Sequence, residues 1–290
     1  MNQPNSTATD PEKPQSFFGV IVHSFFIIPF LIAVFCVLLF SAMMMLTREQ
    51  ATVYDFLDDV KTGGMTKRWQ AAFELSRVLA NPKIVPHDKR FHDEMTSAFE
   101  KAVHDDNRVR QYLALAMGRS QDPVYFETLS QGLNNEKEEN IPSILYALGM
   151  LGDTRATQVL APYLDHPRDR VRSIAAAALG NLQDPESKEF LKKSLTDPQP
   201  NVQWTTAIAL AQLGDGSGKP VLVKLLDRQY LASFPEIDPV EQSHLLLAAI
   251  HSAVKLRDPV ITARVQQLST TDKNMKVRSA AMEYLQNTAQ

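Results

Sequence analysis

The chain has 290 residues, with 30 basic and 33 acidic side chains, a formal net charge of −3 and a single cysteine. These values exclude a disulfide-stabilised or collagen-like protein. They also argue against nucleic-acid binding, because neutralising phosphates requires a clear excess of basic residues. The apolar fraction of 44% is ordinary for a globular protein, but residues 17–46 contain no Asp, Glu, Lys or Arg at all.

The first 46 residues divide into a polar tail and an apolar run. Residues 1–16 are polar and show no apolar periodicity, which indicates a flexible tail. The run at 17–46 would extend about 45 Å as a helix, whereas the hydrocarbon core of a bilayer is about 30 Å thick. We therefore predict one transmembrane helix over residues 17–46.

A cleaved signal peptide is the alternative interpretation of the same run. Lys13 is the only basic residue before it and is accompanied by Asp10 and Glu12, so a basic leading region is absent. The run is also about twice as long as the hydrophobic region of a usual signal peptide. These features favour an uncleaved anchor.

The basic residues around the run predict its orientation. Cytoplasmic flanks of membrane spans carry an excess of Lys and Arg. The tail offers only Lys13, whereas Arg48 and Lys61 follow the run, with Lys67 and Arg68 slightly beyond. We predict a single-pass protein of the cell membrane whose large C-terminal part lies in the cytoplasm.

A short amphipathic helix is predicted directly after the span, within a segment at 47–64 that also holds a linker. Residues 51–62 have an apolar face, and Gly63-Gly64 ends the helix. The residues of the apolar face are Val53, Phe56, Leu57 and Val60. Because the polar face is acidic, it does not suit anionic lipid headgroups. We expect this helix to pack on the domain that follows.

Residues 65–290 contain an internal repeat. The segments RQYLALAMGRSQDP, IPSILYALGMLGDT, RSIAAAALGNLQDP and QWTTAIALAQLGDG align without gaps and close on Asp residues spaced 31 apart. A fifth copy closes 43 residues later, at Asp258, and so carries a 12-residue insertion. Each unit is predicted to be a long Ala/Leu-rich helix followed by a shorter one. Such a hairpin cannot bury its apolar face alone, so neighbouring units must stack into a solenoid.

The repeated pattern D…VR..A..AL..L.D resembles HEAT repeats, specifically the short type found in phycobilisome bilin lyases and many bacterial proteins. The resemblance covers about residues 66–290. It implies an all-α fold, a right-handed α-solenoid of helical hairpins, here preceded by a transmembrane helix. In HEAT proteins such Asp and Arg residues form a ladder that braces successive turns. The ladder positions in this sequence are Asp106, Arg110, Asp165, Arg172, Asp272 and Arg278. Ile141 and Gln203 occupy the Arg position of two other units, which predicts an interruption there.

The sequence contains no recognisable motif of catalytic, metal-binding or cofactor-binding residues. His87 and His92 are five residues apart and would lie on different faces of a helix, and His244 and His251 lie two turns apart, too far to share a metal ion. HEAT-like iron hydroxylases use His-Glu dipeptides, which this chain lacks. The sequence LGDGSGKP at 213–220 lacks the spacing of a phosphate-binding loop. We therefore predict no catalytic residue, no metal site and no cofactor, and the sequence does not indicate an enzyme.

Two features predict a surface for a partner. Trp204 occupies a position that is polar in other units, so it is either an exposed anchor or packs under a loop. The insertion carries Tyr230 and Phe234, and insertions into solenoids often make partner contacts. We name Trp204, Tyr230 and Phe234 as candidate partner-binding residues.

The anchor and the repeat array together predict a membrane-anchored HEAT-repeat scaffold or adaptor that binds a protein partner through its solenoid surface. Leaving out Lys13, Asp10 and Glu12, the part from Thr47 onward has 29 basic and 31 acidic residues, so a nucleic-acid partner is not expected. Two alternatives remain: an enzyme resembling bilin lyases, and an accessory subunit of a membrane protein complex.

Overall fold

The computed structural model describes residues 23–46, 51–134 and 136–288. The predicted tail at 1–16 and the first residues of the predicted span lie outside this range. The chain divides into two compact units, one ending at Ala51 and the other beginning at Thr52.

An apolar helix forms the described part of the first unit. A π-helical turn, His23–Ile27, leads into α1, Ile28–Leu46. Across this turn and α1, the 20 helical residues Phe25–Met44 are long and apolar enough to cross a membrane, and none of this stretch is buried. Both a membrane span and an N-terminal signal sequence have these properties.

The described part of the second unit consists of helices and connecting turns, without a strand. Its first helices are α2 Val53–Thr62, α3 Met65–Val78, α4 Lys89–Lys101, α5 Asn107–Ser120, α6 Phe126–Gly132, α7 Ile141–Leu151, α8 Ala156–Leu160 and α9 Asp169–Asn181. The remainder are α10 Ser187–Ser194, α11 Pro200–Gln212, α12 Lys219–Leu225, α13 Arg228–Ala232, α14 Pro239–Ser252, α15 Pro259–Thr271 and α16 Met275–Thr288.

The long helix of each repeat packs against the long helix of the next. Helices α3, α5, α7, α9 and α11 form one row of successive neighbours. The short helices α8 and α10 each pack between two of them, and α6 packs against α7 and α8. The arrangement is an α-solenoid, as the repeat predicts. Helix α2 packs against α3 within this unit and buries Val53, Leu57 and Val60.

The aspartate that closes each repeat forms the turn before the next helix. In every case one carboxylate oxygen accepts a hydrogen bond, 2.8 to 3.1 Å long, from the backbone N–H two residues later. The residues are Asp122, Asp153, Asp184, Asp215 and Asp258. At Asp122, Asp215 and Asp258 this bond caps a helical segment and satisfies a donor left unpaired at its start. At Asp153 and Asp184 it closes a turn that precedes the helix. The regular spacing of these aspartates therefore marks the turn before each second helix.

Glycines in the long helices permit a close approach between repeats. A Cβ atom on Gly118 would lie 2.6 Å from the Cα of Ala147, and one on Gly149 would lie 2.6 Å from the Cα of Ala178. Gly180 makes the same kind of approach in the next repeat. Because a Cβ does not fit at these distances, these three positions require glycine for packing.

The buried side chains form two clusters that meet at α11. Ala209 and Leu210 belong to the first cluster, whereas Trp204, Ala207 and Ala211 belong to the second. The boundary between the two clusters therefore lies in the last long helix before the insertion that interrupts the 31-residue period.

Candidate functional site

Arg172 joins two consecutive repeats. Its Nε and Nη2 atoms donate to Oδ2 and Oδ1 of Asp197 at 2.7 and 2.9 Å, and its Nη1 donates to the carbonyl oxygen of His166 at 2.9 Å. Burial raises the pKa of Asp197, but the hydrogen bonds from Arg172 and from the backbone N–H of Gln199 outweigh it and leave the pKa below its usual value. Asp197 is therefore ionised and pairs with Arg172.

Arg110 makes a more deeply buried pair. Its Nε donates to Oε2 of Glu136 at 2.5 Å, its Nη1 donates to the carbonyl oxygen of Phe99 at 2.5 Å, and its guanidinium lies 3.9 Å from the centre of the Phe99 ring. The side chains of Arg110 and Glu136 are only 6% and 0% exposed. Asp106 does not pair with Arg110. It caps α5 and binds Arg108 instead.

Asp272 forms an ion pair with Arg228, the first residue of the short helix α13. Arg228 donates from Nε and Nη2 to Oδ2 and Oδ1 of Asp272 at 2.8 and 2.9 Å. Arg278 donates to the backbone carbonyl of Asp272 at 2.7 Å rather than to its carboxylate. Asp165 is exposed, and its carboxylate has no ion pair within the described part of the chain.

Two of the predicted ladder residues, Arg110 and Arg172, thus pair with acids that the repeat pattern does not identify. Gln203 occupies the Arg position of its repeat and retains one of the hydrogen bonds that arginine makes there. Its Nε2 donates to the carbonyl oxygen of Asp197, six residues earlier, at 2.6 Å, as Arg172 and Arg278 do in their own repeats. The interruption expected there removes the ion pair and keeps the backbone hydrogen bond.

The three candidate partner-binding residues lie together. The Trp204 ring meets the Phe234 ring edge to face at 4.9 Å between centroids, and its Nε1 donates to the Tyr230 hydroxyl at 3.3 Å. Trp204 is only 4% exposed, so it packs beneath the insertion and is not an exposed anchor. Tyr230 and Phe234 are half-buried and present the accessible part of this aromatic cluster. Partner binding by the cluster stays a prediction.

A groove of about 1070 Å³ lies between α14 and α16. Its apolar lining includes Val240 and Met275, which are 62% and 70% exposed. Lys273 and Lys276 are exposed beside them. His244 and His251, which the sequence places on one helix face, also line this groove.

HEAT repeats as a family match residues 96–180 and 162–231. Residues 96–231 of this chain therefore contain HEAT repeats.

Two solved structures are similar to this chain. The complex of CpcE and CpcF of phycocyanin lyase from Nostoc sp. PCC7120 is 18% identical over 82% of this chain and 97% of that chain, with a TM-score of 0.52. The archaeal HEAT-like repeats protein from Thermococcus onnurineus NA1 is 17% identical over 83% and 98%, with a TM-score of 0.45. The likeness to the phycocyanin lyase structure is one of fold alone. Among curated proteins, none matches this sequence.

The sequence did not predict that one group of side chains in the repeat domain lies together. His87, His92 and Asp122 lie within reach of a single metal ion. The expectation that the two histidines face apart rested on a helix through both of them. That expectation is wrong, because α4 begins after His87. The available signal was Asp88, because aspartate is a preferred N-cap and here it starts α4 after His87.

Proposed function

We propose that the protein is a membrane-anchored HEAT-repeat scaffold that holds a protein partner in the groove between α14 and α16. The exposed apolar lining of the groove is the observation that carries this proposal. Val240 and Met275 are largely open to solvent, and contiguous exposed apolar surface on a soluble domain is typical of a binding site.

The chemistry of the groove favours a helical segment of the partner. Its volume of about 1070 Å³ suits an amphipathic helix, which lays its apolar side chains into such a groove. Lys273 and Lys276 flank the apolar lining near the start of α16, and Glu283 lines the groove farther along this helix. Acidic residues of the partner would complement the two lysines. The half-buried Tyr230 and Phe234 precede Pro239 and Val240 of the groove in the chain, and we include them in the proposed surface.

The apolar N-terminal helix supports the anchoring part of the proposal. Phe25–Met44 has the length and composition of a span, and the basic residues after it favour a cytoplasmic repeat domain. A scaffold with this arrangement would hold its partner at the inner membrane surface.

Charge substitution at Met275 tests the groove. Met275 is the first residue of α16 and Met65 is the first residue of α3, and their exposures are 70% and 73%. Met275→Glu places a carboxylate in the proposed apolar contact, whereas Met65→Glu is a matched control at an equivalent helix start. We expect affinity capture from solubilised membranes to lose the partner at least tenfold with Met275→Glu and to keep it with Met65→Glu.

The charge of the partner is tested separately. Reversal of both lysines, Lys273→Glu with Lys276→Glu, should weaken capture, and the remaining binding should lose its dependence on salt. Equal capture by the wild type, the Met275→Glu variant and this double variant would contradict the groove as the site.

A second candidate function follows from the likeness to the phycocyanin lyase structure, whose TM-score is 0.52. A bilin-lyase-like enzyme would attach or shape a chromophore. Co-expression with a bilin and its acceptor protein tests this function: visible absorbance retained on the denatured acceptor supports it, and a colourless acceptor removes it. The role of an accessory subunit is tested by replacing residues 17–46 with an unrelated span.

A further inference from the structure

Three potential metal ligands converge at the first well-formed repeat. His87 Nδ1 and His92 Nε2 each lie 3.1 Å from Asp122 Oδ2, and the three atoms all lie within 4.8 Å of one another. Tetrahedral ligands bonded to Zn²⁺ at about 2.0–2.2 Å are about 3.4 Å apart. Two of the three separations already suit such an ion. The His87 side chain is 70% exposed and is free to rotate and adjust the third.

The chain positions these ligands through ordinary capping contacts. Asp88 caps α4 by accepting a hydrogen bond from the Phe91 backbone N–H at 3.0 Å, which leaves His87 in the preceding turn and His92 in the first turns of the helix. Asp122 uses Oδ1 to accept from the backbone N–H of Val124 at 3.1 Å. Its Oδ2 is then directed to the histidines.

Two buried polar atoms at this place have no hydrogen-bond partner in the described structure. One is His92 Nε2, which lies close to Asp122 but without hydrogen-bond geometry. The other is the hydroxyl of Tyr125, a residue that is 1% exposed and whose ring packs edge to face on His92 at 5.5 Å. Buried polar atoms are normally satisfied. A metal ion would satisfy the imidazole nitrogen.

Two of the aspartates that close other repeats have a basic side chain, not a histidine, next to Oδ2. Oδ2 of Asp153 binds Arg155, and Oδ2 of Asp258 binds Lys219, each at 2.6 Å. At these positions the cation is a side chain of the protein itself. Among the closing aspartates, Asp122 alone has two imidazoles there in the described part of the chain.

We propose that His87, His92 and Asp122 bind one divalent transition-metal ion of the Zn²⁺ type, with a remaining coordination position for water. Two imidazoles and a carboxylate form a ligand set that such ions prefer over Mg²⁺ or Ca²⁺. The site involves neither the groove nor the partner, so its test is independent of the proposed function.

Titration of the purified full chain with ZnCl₂ tests the site. The chain is kept in detergent and first stripped with a chelator. We expect one Zn²⁺ per chain by calorimetry and no comparable binding of Mg²⁺. His87→Ala and His92→Ala should each weaken Zn²⁺ binding at least about tenfold, because loss of a ligand costs more than loss of a supporting residue. His251→Ala, an exposed histidine in α14, is the matched control and should bind like the wild type.

A second measurement separates ligand loss from misfolding. Co²⁺ in a site with two imidazoles should give visible absorption bands that disappear in the His87→Ala variant, and Zn²⁺ should raise the melting temperature of the wild type alone. His87 is exposed, so this variant should retain the metal-free melting curve. Absence of stoichiometric binding, or equal weakening by His251→Ala, would overturn the proposal and leave only the hydrogen bond between His87 and Asp122.

Discussion

At the scale of residues, buried ion pairs between repeats are the feature most sensitive to substitution. Arg110 and Arg108 lie two positions apart on α5, but only Arg110 pairs with a fully buried acid, Glu136. Arg110→Gln leaves that carboxylate without its cation and should lower the free energy of unfolding by about 3–5 kcal/mol. Arg108→Gln removes an exposed pair and a contact with the Trp69 ring, and should cost about 1 kcal/mol. Denaturant unfolding of the full chain in detergent measures both. Equal losses would contradict the assigned difference in burial.

Acid pH should destabilise the repeats by protonating aspartates that interact with arginine. Hydrogen bonds from the Arg108 side chain and backbone lower the pKa of Asp106 to about 2. Burial raises the pKa of Asp272, but the donors on Arg228 and Asn274 outweigh it and hold the pKa below its usual value. A carboxyl group whose pKa is lowered in the folded state stabilises the fold above its unfolded pKa of about 4, and that contribution is lost as the pH falls through the folded value.

The measurement is a series of melting temperatures in acid. The wild type should melt at progressively lower temperature below about pH 4, and the Arg228→Gln variant, in which the pKa of Asp272 is no longer held down by Arg228, should show a smaller change. A wild-type melting temperature that stays constant down to about pH 2.5 would contradict this account.

The sequence predicts the positions of the closing aspartates better than it predicts which acids pair with the arginines. The aspartate spacing follows from caps that are local in the chain, and a pattern reveals local interactions. The acids that pair with arginine lie in the connections between repeats, as Glu136 and Asp197 do. A repeat pattern assigns no contact across such connections. The pairing of Arg228 with Asp272 could not be predicted either, because these residues are 44 positions apart in different repeats.

At the scale of elements, the close packing of long helices depends on small residues. In Gly149→Ala the new Cβ would meet the Ala178 backbone at 2.6 Å, so the two helices must separate. Overpacking of this kind should cost about 1–3 kcal/mol. Gly216→Ala adds a Cβ with nothing within 4 Å and should change the stability by less than about 0.5 kcal/mol. Thermal unfolding compares the two variants, and a similar effect of both would contradict the packing of α7 on α9.

The helical hairpins could be predicted from the sequence because their apolar residues recur at helical spacing in each 31-residue unit. The path of the insertion could not, since it depends on packing between elements. Trp204 illustrates the limit: its position suggests an exposed anchor or a buried ring, and only the fold of residues around Tyr230 and Phe234 places it inside.

At the scale of the whole molecule, the apolar N-terminal helix should determine where the protein resides. If residues 17–46 anchor the chain, it should stay with membranes through an alkaline carbonate wash, and deletion of 17–46 should release it. Release of the intact chain by the wash would contradict integral anchoring. Protease added to intact cells should leave the repeat domain uncut if that domain is cytoplasmic.

Site-specific photo-cross-linking in intact membranes tests whether the membrane-anchored repeat domain holds a protein partner in the groove between α14 and α16. The reactive side chain is placed at Met275 in the groove or at the equally exposed Met65 outside it. We expect a discrete cross-linked product between the chain and one other protein from position 275 and none from position 65. Identical products from both positions, or none from position 275, would contradict this expectation.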